Sequence, residues 1–209
     1  MNLRIESNIK RVSPRYVEAY KGITPATLGH MAGIRFMHYS IKPVFSRVQL
    51  VGPAVTVYSP GSDVGIIEKV PEVARPGDVI VVDRGGDVQR ACIGEFRALR
   101  DIQRGIAGWV IDGSATDVVE LADMRFPVFC KAASALLGQL LDVEGYINGV
   151  IQCGGVPVRP GELIVADDNG IAVLSEEEAE RYMDDALRAE ERERNMRPKF
   201  AKEYKQLVK

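Results

Sequence analysis

The sequence predicts an α/β domain, on three observations. Short apolar runs of strand character lie at 79–82, 107–111 and 126–130, and the first two close on an aspartate at a tight turn. Between them lie segments whose apolar residues recur at helical spacing, which makes a strand, helix, strand unit of the right-handed crossover kind. Further on, Gly145, Gly149, Gly154, Gly155, Gly161 and Gly170 divide short Val- and Ile-rich runs, a pattern that suits antiparallel hairpins packed against the parallel part. At 209 residues and 46% hydrophobic content, one domain with a sizeable core is expected over 1–174, followed by a helical arm over 175–209.

In chain order, residues 1–12 are polar and read as frayed, and helices are expected to start at Ser13-Pro14 and Thr24-Pro25, where proline suits the first helical position. Residues 47–57 read as strand, with Gly52-Pro53 marking a bulge or an edge position. Val64, Ile67 and Val70 predict a short helix ended by Pro71. Pro76-Gly77-Asp78 turns the chain into the strand 79–83, and Asp83-Arg84-Gly85-Gly86-Asp87 turns it out again. A helix over about 92–104 places Cys92, Phe96, Leu99 and Ile102 or Gln103 near one face. The central strand ends at Asp112-Gly113, a short helix follows over 118–124, and a third strand over 126–130. Pro160-Gly161-Glu162 echoes the earlier Pro76-Gly77-Asp78. Ser175 and Glu178 form a capping-box pattern at the start of the arm, Ala179, Tyr182, Met183, Ala186 and Leu187 share a face, and Pro198 is expected to interrupt the helix before Phe200, Tyr204 and Leu207.

The 27 basic and 29 acidic side chains leave a formal charge of -2, which gives no electrostatic reason to expect nucleic acid as a partner. No apolar run approaches the roughly 20 residues of a membrane span, so a cytoplasmic location is expected. Cys92, Cys130 and Cys153 are odd in number and far apart, against a disulfide framework, and His30 and His38 have no ligand-spaced partners.

Zinc-protease, P-loop, dinucleotide-binding and nucleophile-elbow motifs are absent. What remains is a set of carboxylates at strand and helix ends. Asp117 follows the central strand, and Glu95 stands beside Gly94 at a helix start. Such oxygen ligands suit a hard divalent ion that keeps several waters, while helix N-terminal amides suit a substrate carboxylate. The same residues also have structural readings: Ser114 and Asp117 can form a capping box, and Glu95 can favour a helix dipole.

The ordered series Val51-Gly52-Pro53-Ala54-Val55-Thr56-Val57, Pro76-Gly77-Asp78, Ile93-Gly94-Glu95, Arg104-Gly105-x-x-Gly108, Asp112-Gly113-x-x-x-Asp117, Phe126-Pro127-Val128-Phe129 and Pro160-Gly161-Glu162-x-x-x-Ala166-Asp167-x-x-Gly170 resembles the RraA-like family over roughly residues 20–195. That family includes class II 4-hydroxy-4-methyl-2-oxoglutarate and 4-carboxy-4-hydroxy-2-oxoadipate aldolases, and its members have often been mislabelled dimethylmenaquinone methyltransferases. The resemblance implies a swivelling α/β/α sandwich with mixed sheets, assembled as a homotrimer or homohexamer with sites between subunits. It implies Mg²⁺ or Mn²⁺ on Asp117, with Glu95 and a neighbour's Glu190 or Glu193 acting through water, and a small oxoacid as substrate. Gly94, Glu95, Phe96, Thr116 and Arg90 are the residues expected to meet that substrate, and Glu95, Asp117 and Thr116 those expected to act on it. Thr116 departs from the family, which has arginine there, and Arg84, Arg90 or Arg97 are candidate replacements. The expected reaction is metal-assisted retro-aldol cleavage or decarboxylation. The alternatives are a ribonuclease E inhibitor type of binding protein and a related metal enzyme with a different substrate.

Overall fold

In the computed structural model, which describes residues 2–207, the chain begins with β1 (Asn2–Ile5), α1 (Pro14–Tyr20), α2 (Pro25–Leu28), β2 (Arg35–Phe36), β3 (Lys42–Pro43) and β4 (Gln49–Tyr58). A 3-10 segment (Gly65–Glu72) leads to β5 (Val79–Asp83), α3 (Glu95–Gln103), β6 (Gly108–Asp112), β7 (Ser114–Ala115), α4 (Val118–Asp123), β8 (Val128–Cys130) and β9 (Ala132–Ala133). The remainder is β10 (Glu144–Ile147), β11 (Ile151–Cys153), β12 (Val156–Val158), β13 (Leu163–Asp167), β14 (Gly170–Leu174) and α5 (Glu176–Leu207).

Strand β4 joins two differently built parts of one sheet. Its first half, 49–53, lies antiparallel to β13, and its second half, 54–58, lies parallel to β5. The order is β2-β14-β13-β4-β5-β6-β8-β3, with β10 and then β1 attached beside the end of β4. Because β4 changes partners midway, the sheet curls. Leu50, Val79, Val81, Val110 and Phe129 therefore share one core with Ile164, Ala166, Ile171 and Val173. Alternate residues of the same strands face outward, as the two-residue strand period requires. Val55, Ile80, Val82, Trp109 and Ile111 pack under the 3-10 segment, α3 and α4, and Leu163, Val165, Ala172 and Leu174 pack under α1, α2 and α5. The result is a curled mixed sheet with helices on both outer faces.

Gly52 and Pro53 sit at the midpoint of this inner strand, not at an edge or a bulge. Pro53 offers no N–H at the change of partner, and a Cβ on Gly52 would meet the Gly77 carbonyl. The two related turns flank β4 as a pair: Asp78 accepts from the Arg75 amide (2.7 Å) and holds Arg11, and Glu162 accepts from the Arg159 amide (2.8 Å) and holds Arg35.

The structure corrects several further expectations. The N-terminus is not frayed, because β1 pairs in parallel with β10. Residues 65–72 form a 3-10 helix that carries Pro71 inside it. The face of α3 with Phe96, Leu99 and Ile102 points to solvent, and the buried face is Arg97, Ala98 and Asp101, held by the Trp109 indole N–H on Asp101 (2.9 Å). Helix α5 continues through Pro198. The capping box of α5 is present, with Ser175 N on Glu178 (2.6 Å) and Glu178 N on Ser175 Oγ (3.2 Å). The side chain of Leu207 lies outside the described residues. No helix among the described residues is long and apolar enough to cross a membrane.

One buried acid shapes the loop before β10. Asp63 accepts from the backbone N–H groups of Gly65, Leu141, Asp142, Val143 and Glu144 at 2.7–3.3 Å. Burial opposes its charge, but the amides outweigh burial and hold the carboxyl below its ordinary value. The stabilisation is therefore complete above the ordinary carboxylate value and is lost as pH falls through the lowered one. Asp63→Asn is expected to cost about 2 kcal/mol in urea unfolding at pH 7, with the deficit constant down to about pH 5 and shrinking below about pH 4.

Candidate functional site

At the carboxyl ends of β5 and β6 the register sets Asp83 opposite Asp112. Both acids are engaged in holding the β11–β12 hairpin over the sheet: Asp83 accepts from Gln152 N (3.2 Å) and Asp112 from Gly154 N (2.7 Å). Asp112 also pairs with Lys131, a residue that sequence reading passed over although it ends the run 126–130 as the acids end theirs.

After Gly113 the chain forms β7 and then reaches Thr116 and Asp117. This segment lies against the stretch leading into α3: Cys92 N donates to Ser114 O (3.3 Å), and Thr116 N to Ile93 O (2.9 Å). The capping box expected from Ser114 and Asp117 does not form. Ser114 is buried and its hydroxyl donates to the Val88 carbonyl. Asp117 precedes α4 in the left-handed region (φ 53°), with no side-chain bond to the helix it starts. Its carboxylate instead crosses to α3, where Oδ2 accepts from Glu95 N (2.9 Å), and Oδ1 accepts from its neighbour Thr116 Oγ1 (3.1 Å). A left-handed non-glycine residue carries strain that neighbouring contacts must hold, and such residues concentrate at functional sites.

Gly94 makes the approach possible. A Cβ there would meet Asp117 Oδ2 and stand 2.7 Å from Thr116 Cγ2. Gly94, Glu95, Thr116 and Asp117 are thus brought together, with Phe96 beside them 75% exposed. Neither Asp117 nor Glu95 has an ion-pair partner among the described residues, whereas the acids that brace the fold, such as Asp78 and Glu162, do.

The candidate replacements for a guanidinium separate clearly. Arg84 is fully buried and donates to Ser59 O (2.5 Å), Ser59 Oγ (2.7 Å) and Gly61 O (2.6 Å). Arg97 is buried on Asp101 (3.0 Å) and Trp109. Both brace the scaffold, and Arg90, on Asp87 at 3.1 Å, is the one of the three that keeps an exposed side chain. Glu190 is also corrected: its carboxylate is buried in its own chain, accepting from Thr24 N (2.8 Å), Thr24 Oγ1 (2.8 Å) and Thr27 Oγ1 (2.7 Å). Glu193 stays at the surface beside Arg197. Burial pushes all three thiols up, Cys92 to about 11 and Cys153 well above its ordinary value, which disfavours the thiolate.

Among the described residues no group of three or more His, Cys, Asp or Glu side chains gathers as a metal cage. One or two carboxylates with open solvent is nonetheless the donor set that Mg²⁺ and Mn²⁺ use, since these ions retain waters. Asp117, with Glu95 next to it, fits such an ion and does not fit a fully protein-ligated metal.

Comparison with known proteins identifies relatives of the chain and of its fold. The family profile described as RraA-like, aldolase/RraA, matches residues 24–173. A protein of Halalkalibacterium halodurans that carries the provisional name 4-hydroxy-4-methyl-2-oxoglutarate aldolase is 38% identical over 154 residues, 74% of this chain and 73% of that protein. Among solved structures, Streptomyces coelicolor RraAS2, described as an unusual member of the RNase ES inhibitor RraA family, superposes with a TM-score of 0.77 at 24% identity, over 90% of this chain and all of that one. A Thermus RraA described as an RNA-processing inhibitor gives 0.65 at 26% identity, over 72% and 91% of the two chains.

Gly94→Ala is expected to push the Asp117 loop off α3, at a cost of about 1–3 kcal/mol in thermal unfolding. It should weaken Mn²⁺ binding as severely as loss of the Asp117 carboxylate itself; unchanged affinity would show that the close approach does not shape the site.

Proposed function

Since the chain belongs to the RraA-like, aldolase/RraA family, we propose that it is a divalent-metal-dependent lyase that releases pyruvate from a small 2-oxoacid. The observation that carries this reading is Asp117, a carboxylate with no cation partner among the described residues and fixed against the first turn of a helix. Asp117 would hold Mg²⁺ or Mn²⁺ directly and Glu95 would reach it through water. When bound, the ion supplies Lewis acidity toward the oxo and carboxylate oxygens of the substrate.

The chain's own residues divide the remaining work. Glu95 N is already committed to Asp117, and the next two amides of α3, Phe96 and Arg97, have no acceptor within the helix, so they can hold a substrate carboxylate. In a retro-aldol cleavage the 4-hydroxyl loses its proton, the C3–C4 bond breaks with its electron pair passing toward the 2-oxo oxygen, and C3 then gains a proton to give pyruvate. Glu95, acting through water, is the group placed to take and return these protons. Decarboxylation of oxaloacetate follows the same course with CO₂ as the leaving fragment. Thr116 contributes one hydroxyl where a charge would bind more strongly, which favours a substrate whose carboxylate is held by amides.

The same missing charge favours a second reading, a binding protein of the RNA-processing-inhibitor kind, in which no ion is needed. We place the protein in the cytoplasm as a homotrimer or homohexamer; the exposed Leu136, Leu137, Leu140, Leu141 and Val143 support an assembly, because so dense an apolar surface is rare on a monomer.

The test is pyruvate release from oxaloacetate and 4-hydroxy-4-methyl-2-oxoglutarate. EDTA should abolish it, and Glu95→Gln should lower kcat by about 10²-fold. Thr116→Arg should raise the rate if the hydroxyl is the weak point. Silence from the wild type on both substrates, with Mn²⁺ bound, would contradict the oxoacid assignment.

A further inference from the structure

The parallel pairing of β1 with β10 continues one residue past β1, because Glu6 N donates to Ile147 O (3.2 Å). The two-residue period of the strand divides its side chains. Leu3 and Ile5 pack into the core beneath the 3-10 segment, while Arg4, in register with Tyr146, and then Glu6 fall on the opposite face. The chain after β10 folds over that face: Asn148 N donates to Thr56 O (2.8 Å), Thr56 Oγ1 to Gly149 O (2.6 Å), and the Tyr146 hydroxyl to Val150 O (2.9 Å). Between the strands and this loop lies a cavity of about 350 Å³, lined by Arg4, Glu6 and residues 146–150, a size that suits a small molecule. Asp117, Glu95 and Thr116 take no part in its walls.

Three polar groups of this cavity lack partners. Asn148 is 6% exposed, its Nδ2 donates to Glu6 O (2.7 Å), and its Oδ1 is buried with no hydrogen-bond partner among the described residues. A buried carbonyl oxygen without a donor is costly, so the cavity calls for an N–H from outside the chain. Arg4 and Glu6 have no ion-pair partner among the described residues, whereas the next cations along the chain, Lys10 and Arg11, are held by Glu176 and Asp78. Glu6 gives one oxygen to Asn8 N (3.0 Å) and keeps the other. Two acceptors therefore stand at the Glu6 end of the cavity and one guanidinium at the Arg4 end, about 7 Å away along the strand. Tyr146 has committed its hydroxyl and stacks on Tyr58 (5.0 Å), so its ring is an apolar wall, with Val150 beside it.

We propose that this cavity binds an α-amino acid with an aliphatic side chain. The ligand's carboxylate lies on Arg4, its ammonium donates to Glu6 and to Asn148 Oδ1, and its side chain rests on the Tyr146 ring and Val150. A ligand with both charges satisfies both ends, whereas Glu6 repels a dicarboxylate and Arg4 repels a simple amine. The seat does not depend on the oxoacid reading and stands whether or not the protein releases pyruvate.

The experiment is equilibrium dialysis of radiolabelled L-leucine, L-valine and glycine against the full chain, with unlabelled L-leucinamide and 4-methylpentanoate as competitors. Leucine should bind at one per subunit and more tightly than glycine. The two competitors, each lacking one of the charges, should bind about tenfold more weakly than leucine. Arg4 and Glu6 are exposed, so Arg4→Gln and Glu6→Gln should melt like the wild type by circular dichroism. Each should weaken leucine binding by about tenfold. Each should also erase one preference: Arg4→Gln that for leucine over leucinamide, and Glu6→Gln that for leucine over 4-methylpentanoate. The proposal is overturned by no saturable binding of any of the three amino acids, by competitors as strong as leucine, or by variants that keep the wild-type affinity.

Discussion

The candidate site depends on one close approach, the Asp117 carboxylate against the backbone at Gly94. It requires glycine on one side and a left-handed aspartate on the other, and neither holds its place alone. The backbone bonds from Cys92 to Ser114 and from Thr116 to Ile93 set the two segments side by side. Behind them, buried Arg84 ties the turn after β5 to the loop at Ser59, and Asp63 gathers the loop before β10 with five amides. The polar interior of this end of the molecule serves to hold two stretches of chain at contact distance.

The acids accordingly fall into two groups. Asp63, Asp78, Asp101, Glu162 and Glu190 are buried and saturated by amides, hydroxyls or arginines, and removing any of them leaves buried donors unpaired. Asp117 and Glu95 are more exposed, and Asp117 spends its bonds on one amide and one hydroxyl. An acid held by a single backbone amide keeps lone pairs for a ligand, while an acid with five does not. Glu190 shows why position in sequence alone misleads: it stands where a neighbour-facing glutamate was expected, yet two threonines of its own chain claim it.

Much of the fold was legible because it rests on local chemistry. Proline at the first turn of α1 and α2, the Ser175–Glu178 box, and the apolar runs of β5, β6 and β8 all form as their residues suggest. The paired turns at Gly77 and Gly161 were visible as an echo, and the structure shows them on either side of β4. What escaped is whatever depends on distant partners. Residues 2–5 look polar but find β10 in parallel, Gly52-Pro53 looks like an edge but lies where β4 changes neighbours, and α3 turns an arginine inward because Asp101 and Trp109 receive it. In the candidate site, the Asp-Gly turn and Gly94-Glu95 could be read from sequence. That Asp117 crosses to α3 instead of capping α4 could not, since the choice is made by the left-handed backbone and the room left at Gly94.

Manganese binding followed by electron paramagnetic resonance tests the central claim most directly, because it reads the site without assuming a substrate. The wild-type chain should bind one Mn²⁺ per subunit, and Asp117→Asn, which keeps the shape of the side chain and removes its charge, should lose that binding while melting at nearly the same temperature. Equal Mn²⁺ affinity in the two proteins would contradict the account and leave Asp117 as a brace between two loops.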